Sequence, residues 1–170
     1  MGRILQVVGY QNSGKTTFVV DYIKMAAEQG LKVGTIKHHG HQGTIDMGDH
    51  KKDTGKHRKA GAYVSVVEGN GSFFLASEQV SLSLDQMISL YSHFQLDVIV
   101  VEGYKTAGYP KVVLISSHDD LHMLDDLINV SSVISRVVLP VTITKKYNCF
   151  TNPLECIKWL LTNKVGEMID

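Results

Sequence analysis

The sequence predicts an α/β protein with a mostly parallel sheet, helices on both faces and one antiparallel hairpin. Apolar segments of strand length alternate along the chain with segments of helical periodicity, which is typical of a parallel sheet wrapped by helices. After Asp97, the segment at residues 97–101 is continuously apolar, as expected of a strand buried on both faces. Asn70-Gly71 lies between two strand-type runs and favours a hairpin. At 170 residues, a single domain spanning residues 1–170 is expected.

Local signals place the individual elements. Strands are predicted at residues 4–8, 31–37, 62–67, 72–76, 97–101, 111–115 and 136–139. Helices are predicted at residues 17–27, 53–60 and 83–94 and from Pro153 onward. Gly30 and Gly61 follow the first two helices as C-terminal stop signals. Asn152 precedes Pro153, which predicts an N-cap with proline at the first helical position.

Composition and charge narrow the class of protein. Hydrophobic residues make up 44% and charged residues 20% of the chain, which is typical of a globular protein. The formal net charge is zero, which argues against general nucleic-acid binding. No apolar run approaches the ~18 residues of a membrane span, and the first residues lack a signal-peptide pattern. Because the two cysteines accompany no export signal, we expect reduced thiols and a cytoplasmic location.

Residues 9–16 are the most informative segment, because they match G-x-x-x-x-G-K-[ST] between a predicted strand and a predicted helix. Gly9 and Gly14 permit a tight turn whose N–H groups, with the helix dipole, face phosphate oxygens. Lys15 is expected to reach the terminal phosphates, and the Thr16 hydroxyl to bind Mg²⁺. The segment therefore predicts a P-loop NTPase-like, three-layer fold that binds a nucleoside triphosphate. Its candidate nucleotide-binding residues are Gly9, Asn12, Ser13, Gly14, Lys15, Thr16 and Thr17.

A second candidate site residue, Glu102, follows the apolar run at residues 97–101. Ligands of open α/β sheets bind at the carboxyl edge of the sheet, where this residue is expected. Mg²⁺ bound to phosphates requires a carboxylate or a water held by one. We therefore expect Glu102 to act with Lys15 in catalysis and with Thr16 in metal binding.

Residues 37–59 form a third feature, rich in histidine and lysine. The favoured hypothesis is a mobile basic loop, with Lys37 and His38 contacting an anionic ligand. A metal site at His38, His39 and His41 is less favoured, because adjacent residues of an extended chain point to opposite sides. Asp53 has two open roles, as a helix cap or as the holder of a magnesium-bound water.

Four segments together resemble the MobB family of molybdopterin-guanine dinucleotide biosynthesis adapter proteins. They are residues 9–17, 35–39, 53–62 and 101–105. The glycine loop alone is shared by many nucleotide-binding proteins, whereas the other three segments are specific as a set. The resemblance runs over nearly the whole chain, in order.

The resemblance implies a GTP-binding protein with weak intrinsic hydrolysis, at most a slow GTPase. Such a protein would assist a MobA-like guanylyltransferase in joining GMP to molybdopterin, and it would be a homodimer. By the motif match, Gly14, Lys15, Thr16 and Thr17 would hold phosphate and magnesium, and Glu102 would be the carboxylate. GTP and Mg²⁺ are thus the expected cofactors, with no nucleic-acid or membrane partner.

The residues alone predict a nucleoside triphosphate and leave the base open. Residues 144–147 follow a late predicted strand, where many GTPases carry Asn-Lys-x-Asp, but they lack the aspartate. A P-loop small-molecule kinase is the alternative function. The chain has only Arg3, Arg58 and Arg136 as arginines, which argues against rapid phosphoryl transfer. A nucleotide-dependent adapter with loops ordered by the γ-phosphate suits the sequence better.

Overall fold

A computed structural model of the protein describes residues 2–40 and 45–169. Its contacts divide the chain into two compact units. We call Met1–His39 with Leu84–Asp170 the sheet unit, and Gly40–Ser83 the hairpin unit. The expectation of one nucleotide-binding domain over residues 1–170 stays a prediction.

The helices and strands, numbered along the whole chain, have the following bounds. The strands are β1 (Arg3–Gly9), β2 (Val33–Lys37), β3 (Ser65–Gly69), β4 (Ser72–Ala76), β5 (Val98–Glu102), β6 (Lys111–Ile115), β7 (Val130–Ser135), β8 (Asn148–Phe150) and β9 (Glu167–Met168). The α-helices are α1 (Lys15–Glu28), α2 (Asp53–Lys59), α3 (Leu84–Tyr91), α4 (Met123–Asp126), α5 (Val141–Lys146) and α6 (Pro153–Thr162). Short 3-10 helices occur at Ser92–Phe94 and His118–His122. Within the described ranges, no helix is long and apolar enough to cross a membrane.

The sheet unit contains a twisted sheet of order β2-β5-β1-β6-β7-β8, in which every neighbouring pair is parallel. The short β9 pairs antiparallel with the start of β1. Because the main strands are parallel, their carboxyl ends share one edge of the sheet. That edge therefore collects the loops that follow β1, β2, β5, β6 and β7.

The core lies on both faces of this sheet, since successive side chains of a strand point to opposite faces. On β1, Leu5 and Val7 pack with α1 and α6 on one face. Ile4 packs with α3, and Val8 packs with α4, on the other. The predicted fold class, a mostly parallel sheet with helices on both faces and one hairpin, is confirmed.

The hairpin unit consists of α2 and the antiparallel pair β3–β4. Asn70 and Gly71 both have positive φ, at 51° and 77°, as the predicted two-residue hairpin turn requires. One side of the hairpin carries Val66, Phe73 and Leu75, whose exposed fractions are 55%, 54% and 47%. We call these three residues the apolar hairpin face.

One predicted strand is wrong. Residues 136–139 form no strand. The strand in this part of the chain is β7, Val130–Ser135, which ends directly before residue 136. The apolar run Val137-Val138-Leu139 suggested a strand, whereas β7 contains polar Ser132. That serine is fully buried, with its hydroxyl 3.5 Å from the Cys156 thiol, and this partner lets a polar residue occupy the core. Residues 144–146 lie at the end of α5 and do not directly follow a strand.

Candidate functional site

The loop after β1 has the backbone that a phosphate-binding loop needs. Asn12 and Gly14 adopt positive φ, at 62° and 95°, and α1 begins directly after Gly14. The Ser13 amide donates to the Tyr10 carbonyl at 3.3 Å and closes the turn. A Cβ placed on Gly9 would lie 2.5 Å from the Ser13 hydroxyl oxygen and 3.0 Å from the Leu114 carbonyl oxygen, so a side chain there would displace Ser13 and crowd the backbone of β6.

Lys15 extends back over this loop, where its Nζ donates to the Tyr10 carbonyl at 2.5 Å. Burial lowers the pKa of the Lys15 ammonium below its ordinary value. The Glu102 carboxylate opposes that shift in the pKa, whereas the charges of Lys105 and Lys37 add to it. Three ammonium groups therefore influence one another at the sheet edge with one carboxylate between them, which creates a site suited to an anion.

Glu102 is the last residue of β5, and Lys37 is the last residue of the neighbouring strand β2, directly opposite it in register. The Lys37 Nζ lies 3.2 Å from the Glu102 Oε1, with side-chain exposures of 57% and 12%. Thr16 Oγ1 donates to the same carboxylate oxygen at 3.2 Å and accepts from Lys37 Nζ at 3.3 Å. The structure thus brings together the predicted residues Lys15, Thr16, Lys37 and Glu102, which we call the P-loop cluster.

The donor groups of this cluster fit a nucleoside triphosphate with magnesium. The Ser13 hydroxyl is buried and has no hydrogen-bond partner among the described residues, as expected of a group that serves a ligand. The hydroxyl of Thr16 and the carboxylate of Glu102 are oxygen ligands of the kind that Mg²⁺ prefers. Thr17, one residue further along α1, is exposed and lines an adjoining cavity.

His38 contacts the P-loop cluster through its backbone. Its amide donates to the Glu102 carbonyl at 2.9 Å, which continues the pairing of β2 with β5. Its ring packs at 4.8 Å from the ring of Tyr104, and Gly103, with φ at 95°, gives the His38 side chain the room it needs. The ring therefore helps to position the loop after β5.

The structure tests only part of the less favoured metal site at His38, His39 and His41, because His41 lies outside the described residues. Among residues 2–40 and 45–169, no group of three or more His, Cys, Asp or Glu side chains could hold a metal ion.

Lys105 is a charged residue near the glycine loop that the sequence reasoning did not select as a candidate. Its Nζ lies 3.9 Å from the centre of the Tyr10 ring, and the Tyr10 hydroxyl lies 2.7 Å from His122 Nε2.

Asp53 belongs to the hairpin unit and is the first residue of α2. The N-cap position is Lys52, and no side chain caps this helix, so the capping prediction for Asp53 is wrong. Its carboxylate instead pairs with Lys56 at 3.0 Å, which lowers the pKa of Asp53. The magnesium role of Asp53 stays a prediction.

The hairpin unit also contains a buried ion-pair network that the sequence reasoning missed. Arg58, with only 2% of its side chain exposed, donates from Nη2 and Nη1 to the two Asp49 carboxylate oxygens at 2.6 and 3.0 Å. It also donates to the Ser65 hydroxyl at 2.6 Å and to Glu78 at 3.2 Å, while the Thr54 hydroxyl donates to Asp49 at 2.6 Å. Hydrogen bonds from Arg58 and then Thr54 lower the pKa of Asp49 to about 2. We call these five residues the Arg58 cluster.

The strand order and the glycine loop together define a protein with a fold of the P-loop type. The family model described as molybdopterin guanine dinucleotide synthesis protein B, MobB, matches residues 4–136. The chain belongs to this family.

Individual relatives agree with that assignment. A Bacillus subtilis protein named "Probable molybdopterin-guanine dinucleotide biosynthesis adapter protein" is 43% identical over 133 residues, covering 78% of this chain and 76% of the relative. The crystal structure of Bacillus subtilis MobB superposes with a TM-score of 0.76 at 36% identity, covering 94% of this chain and 96% of that one. A MobB homolog from Bacillus stearothermophilus gives 0.73 at 33% identity with the same coverage.

Proposed function

We propose that the protein is a GTP-binding adapter in molybdopterin-guanine dinucleotide biosynthesis. It assists a MobA-like guanylyltransferase that attaches GMP to molybdopterin. The observation that carries the proposal is the convergence of Lys15, Thr16, Lys37 and Glu102 beside a glycine loop, in a chain of the MobB family. The adapter role follows from the names of its relatives, and GTP follows from the family resemblance.

Each member of the P-loop cluster has a separate task. Lys15 moves from the Tyr10 carbonyl to the terminal phosphates, and the amides of the loop bind the remaining phosphate oxygens. Thr16 and Glu102 would together hold Mg²⁺, and the ion would supply positive charge against the phosphates. Lys37 pairs with Glu102 in the protein alone and becomes available to an incoming anion, since its side chain is more than half exposed.

Slow hydrolysis by the isolated protein is part of the proposal. A transition-state arginine is typically worth ~10³–10⁵ in rate for this reaction class. Arg58 is fully engaged with Asp49, and Arg3 begins β1, at the opposite end of that strand from the glycine loop. Arg136 lies beside Gly14 but follows β7, on the other side of β1 from Lys37 and Glu102, where the terminal phosphates would lie. Without an arginine from a partner, turnover should be slow, which favours an adapter over the alternative of a small-molecule kinase.

We further propose a cytoplasmic homodimer. The apolar hairpin face supports dimerisation, because Val66, Phe73 and Leu75 expose a contiguous apolar surface on one side of a two-stranded sheet. An exposed apolar surface of this kind is stabilised when a second protein surface covers it.

The adapter function is tested by measuring GMP transfer by a MobA-like guanylyltransferase with and without this protein. We expect stimulation by the wild type and its loss in Lys37→Ala, because that substitution removes a cation from the P-loop cluster. Lys158→Ala is the matched control, since Lys158 is an exposed lysine of α6 outside the P-loop cluster. Full stimulation by Lys37→Ala, or none by the wild type, would contradict the proposal.

A further inference from the structure

A cavity of about 170 Å³ adjoins the glycine loop on the side of the sheet edge away from Glu102. Its walls are apolar and come from the carboxyl ends of β6 and β7, at Leu114, Ile115 and Ile134. The polar side chains of the lining are Ser13, Thr17, Asp21, Arg136 and Thr151. Two of them are charged: Asp21 on α1, which also lies 3.8 Å from Lys24, and Arg136 directly after β7. Apolar walls with a few placed polar groups are typical of small-molecule sites.

Arg136 is held where its guanidinium faces both the cavity and the glycine loop. Its amide donates to the Ile115 carbonyl at 3.0 Å, which fixes the chain as it leaves β7. Its Nη2 lies 3.2 Å from the point where a Cβ on Gly14 would be, so the side chain packs against the loop. Among the described residues, its guanidinium forms no ion pair, in contrast to that of Arg58.

The charge distribution sets the direction of a bound triphosphate. In the sheet, β5 and β2 lie on one side of β1, and β6 and β7 lie on the other. Lys37 and Glu102 place the cations and the metal-binding carboxylate on the β5 side. These charges favour binding of the terminal phosphates on the β5 side. The nucleoside of the same triphosphate then lies on the β7 side, next to Thr17 and in the cavity.

We propose that this cavity binds the guanine base, with Arg136 and Asp21 as its specificity-determining residues. The guanidinium donates to O6 and N7 of guanine, and the carboxylate accepts from its 2-amino group. Adenine presents an amino donor where guanine presents O6, so the Arg136 fork discriminates against ATP. The assignment rests on the proposed GTP binding.

The test is calorimetric titration of the full-length protein with GTP, ATP and inorganic triphosphate. Arg136→Ala should raise the Kd for GTP about tenfold or more, the loss expected for charge-assisted hydrogen bonds, while inorganic triphosphate binds within about twofold of wild type. Asp21→Asn should narrow the preference for GTP over ATP. Lys145→Ala is the matched control, because Lys145 is an exposed lysine of α5, and it should leave the Kd values for GTP, ATP and inorganic triphosphate unchanged.

The outcomes separate the two proposals. Unchanged GTP affinity in Arg136→Ala, or an equal loss for inorganic triphosphate, would overturn the base assignment alone. Absence of GTP binding by the wild type would overturn the proposed function and this inference together. Arg136→Lys, which keeps the charge but loses the planar fork, should also lose discrimination between GTP and ATP, and it serves if the alanine variant folds poorly.

Discussion

The P-loop cluster has two ammonium groups and one carboxylate, whereas the Arg58 cluster has one guanidinium and two carboxylates, and the two clusters differ in how completely their charges are paired. In the Arg58 cluster, the guanidinium makes hydrogen bonds to Asp49, Ser65 and Glu78, and little of its side chain is exposed. In the P-loop cluster, the ammonium groups outnumber the carboxylate, and Lys37 is more than half exposed.

This difference separates a structural ion pair from a candidate ligand site. A buried charge with a complete set of partners has no capacity left for a ligand. Removing one partner leaves the other charge buried and unpaired. Cations that share one carboxylate, beside a buried hydroxyl without a partner among the described residues, retain capacity for an anion. Substitutions in the Arg58 cluster should therefore affect folding, and substitutions in the P-loop cluster should affect binding.

The largest expected effect on folding is in the hairpin unit. Arg58→Ala leaves the Asp49 carboxylate buried without its main partner, so we expect residues 45–83 to be cleaved about tenfold or more faster in limited proteolysis. Lys56→Ala is the matched control on the same helix, because its exposed pair with Asp53 should contribute little. Equal cleavage rates in the two variants would show that the network is dispensable.

A smaller effect is expected at the magnesium ligands. Glu102→Gln should weaken the Mg²⁺ dependence of GTP binding about tenfold, because the amide removes the negative charge near the metal. Asp97→Asn is the control, since Asp97 precedes the opposite end of β5, about 16 Å away at the usual strand rise. Titrations with and without Mg²⁺ check this, and similar effects from both variants would rule out Glu102 as the magnesium carboxylate.

The smallest effect is a pKa difference. The folded pKa of Asp49, at about 2, lies below its unfolded value of about 3.9. Its contribution to stability is therefore present above about pH 4 and is lost as the pH falls through about 2. A carbon-13 NMR titration of the Asp49 carboxylate should give a midpoint near pH 2 in the wild type. The midpoint should be higher in Arg58→Lys, because lysine cannot donate from two guanidinium nitrogens to both carboxylate oxygens. A wild-type midpoint near 4 would contradict the network.

Local sequence signals predicted the parts of the fold that depend on short-range chemistry. The glycine loop, the Asn70-Gly71 turn and the Asn152 cap each act within a few residues, and each forms as expected. β7 was missed because the partner that allows Ser132 into the core is Cys156, which is distant in sequence. The local pattern of polar and apolar residues contains no information about a partner so distant in sequence.

The site was predictable to a similar extent. The motif and the end of β5 identified Lys15, Thr16 and Glu102, whereas the contact of Lys37 with them depends on the register of β2 with β5. Arg136 had no sequence signal, because its position beside Gly14 comes from the packing of β7 against β6. Long-range pairing supplied what local patterns could not.

The most direct test of the account is calorimetric titration of the wild type and Lys15→Ala with GTP in the presence of Mg²⁺, with thermal unfolding of both proteins. We predict that Lys15→Ala weakens GTP binding about a hundredfold, because the ammonium makes charge-assisted bonds to phosphate, and that its melting temperature stays near that of the wild type. GTP affinity equal to that of the wild type in a folded Lys15→Ala variant would contradict the assignment of the P-loop cluster as a triphosphate site.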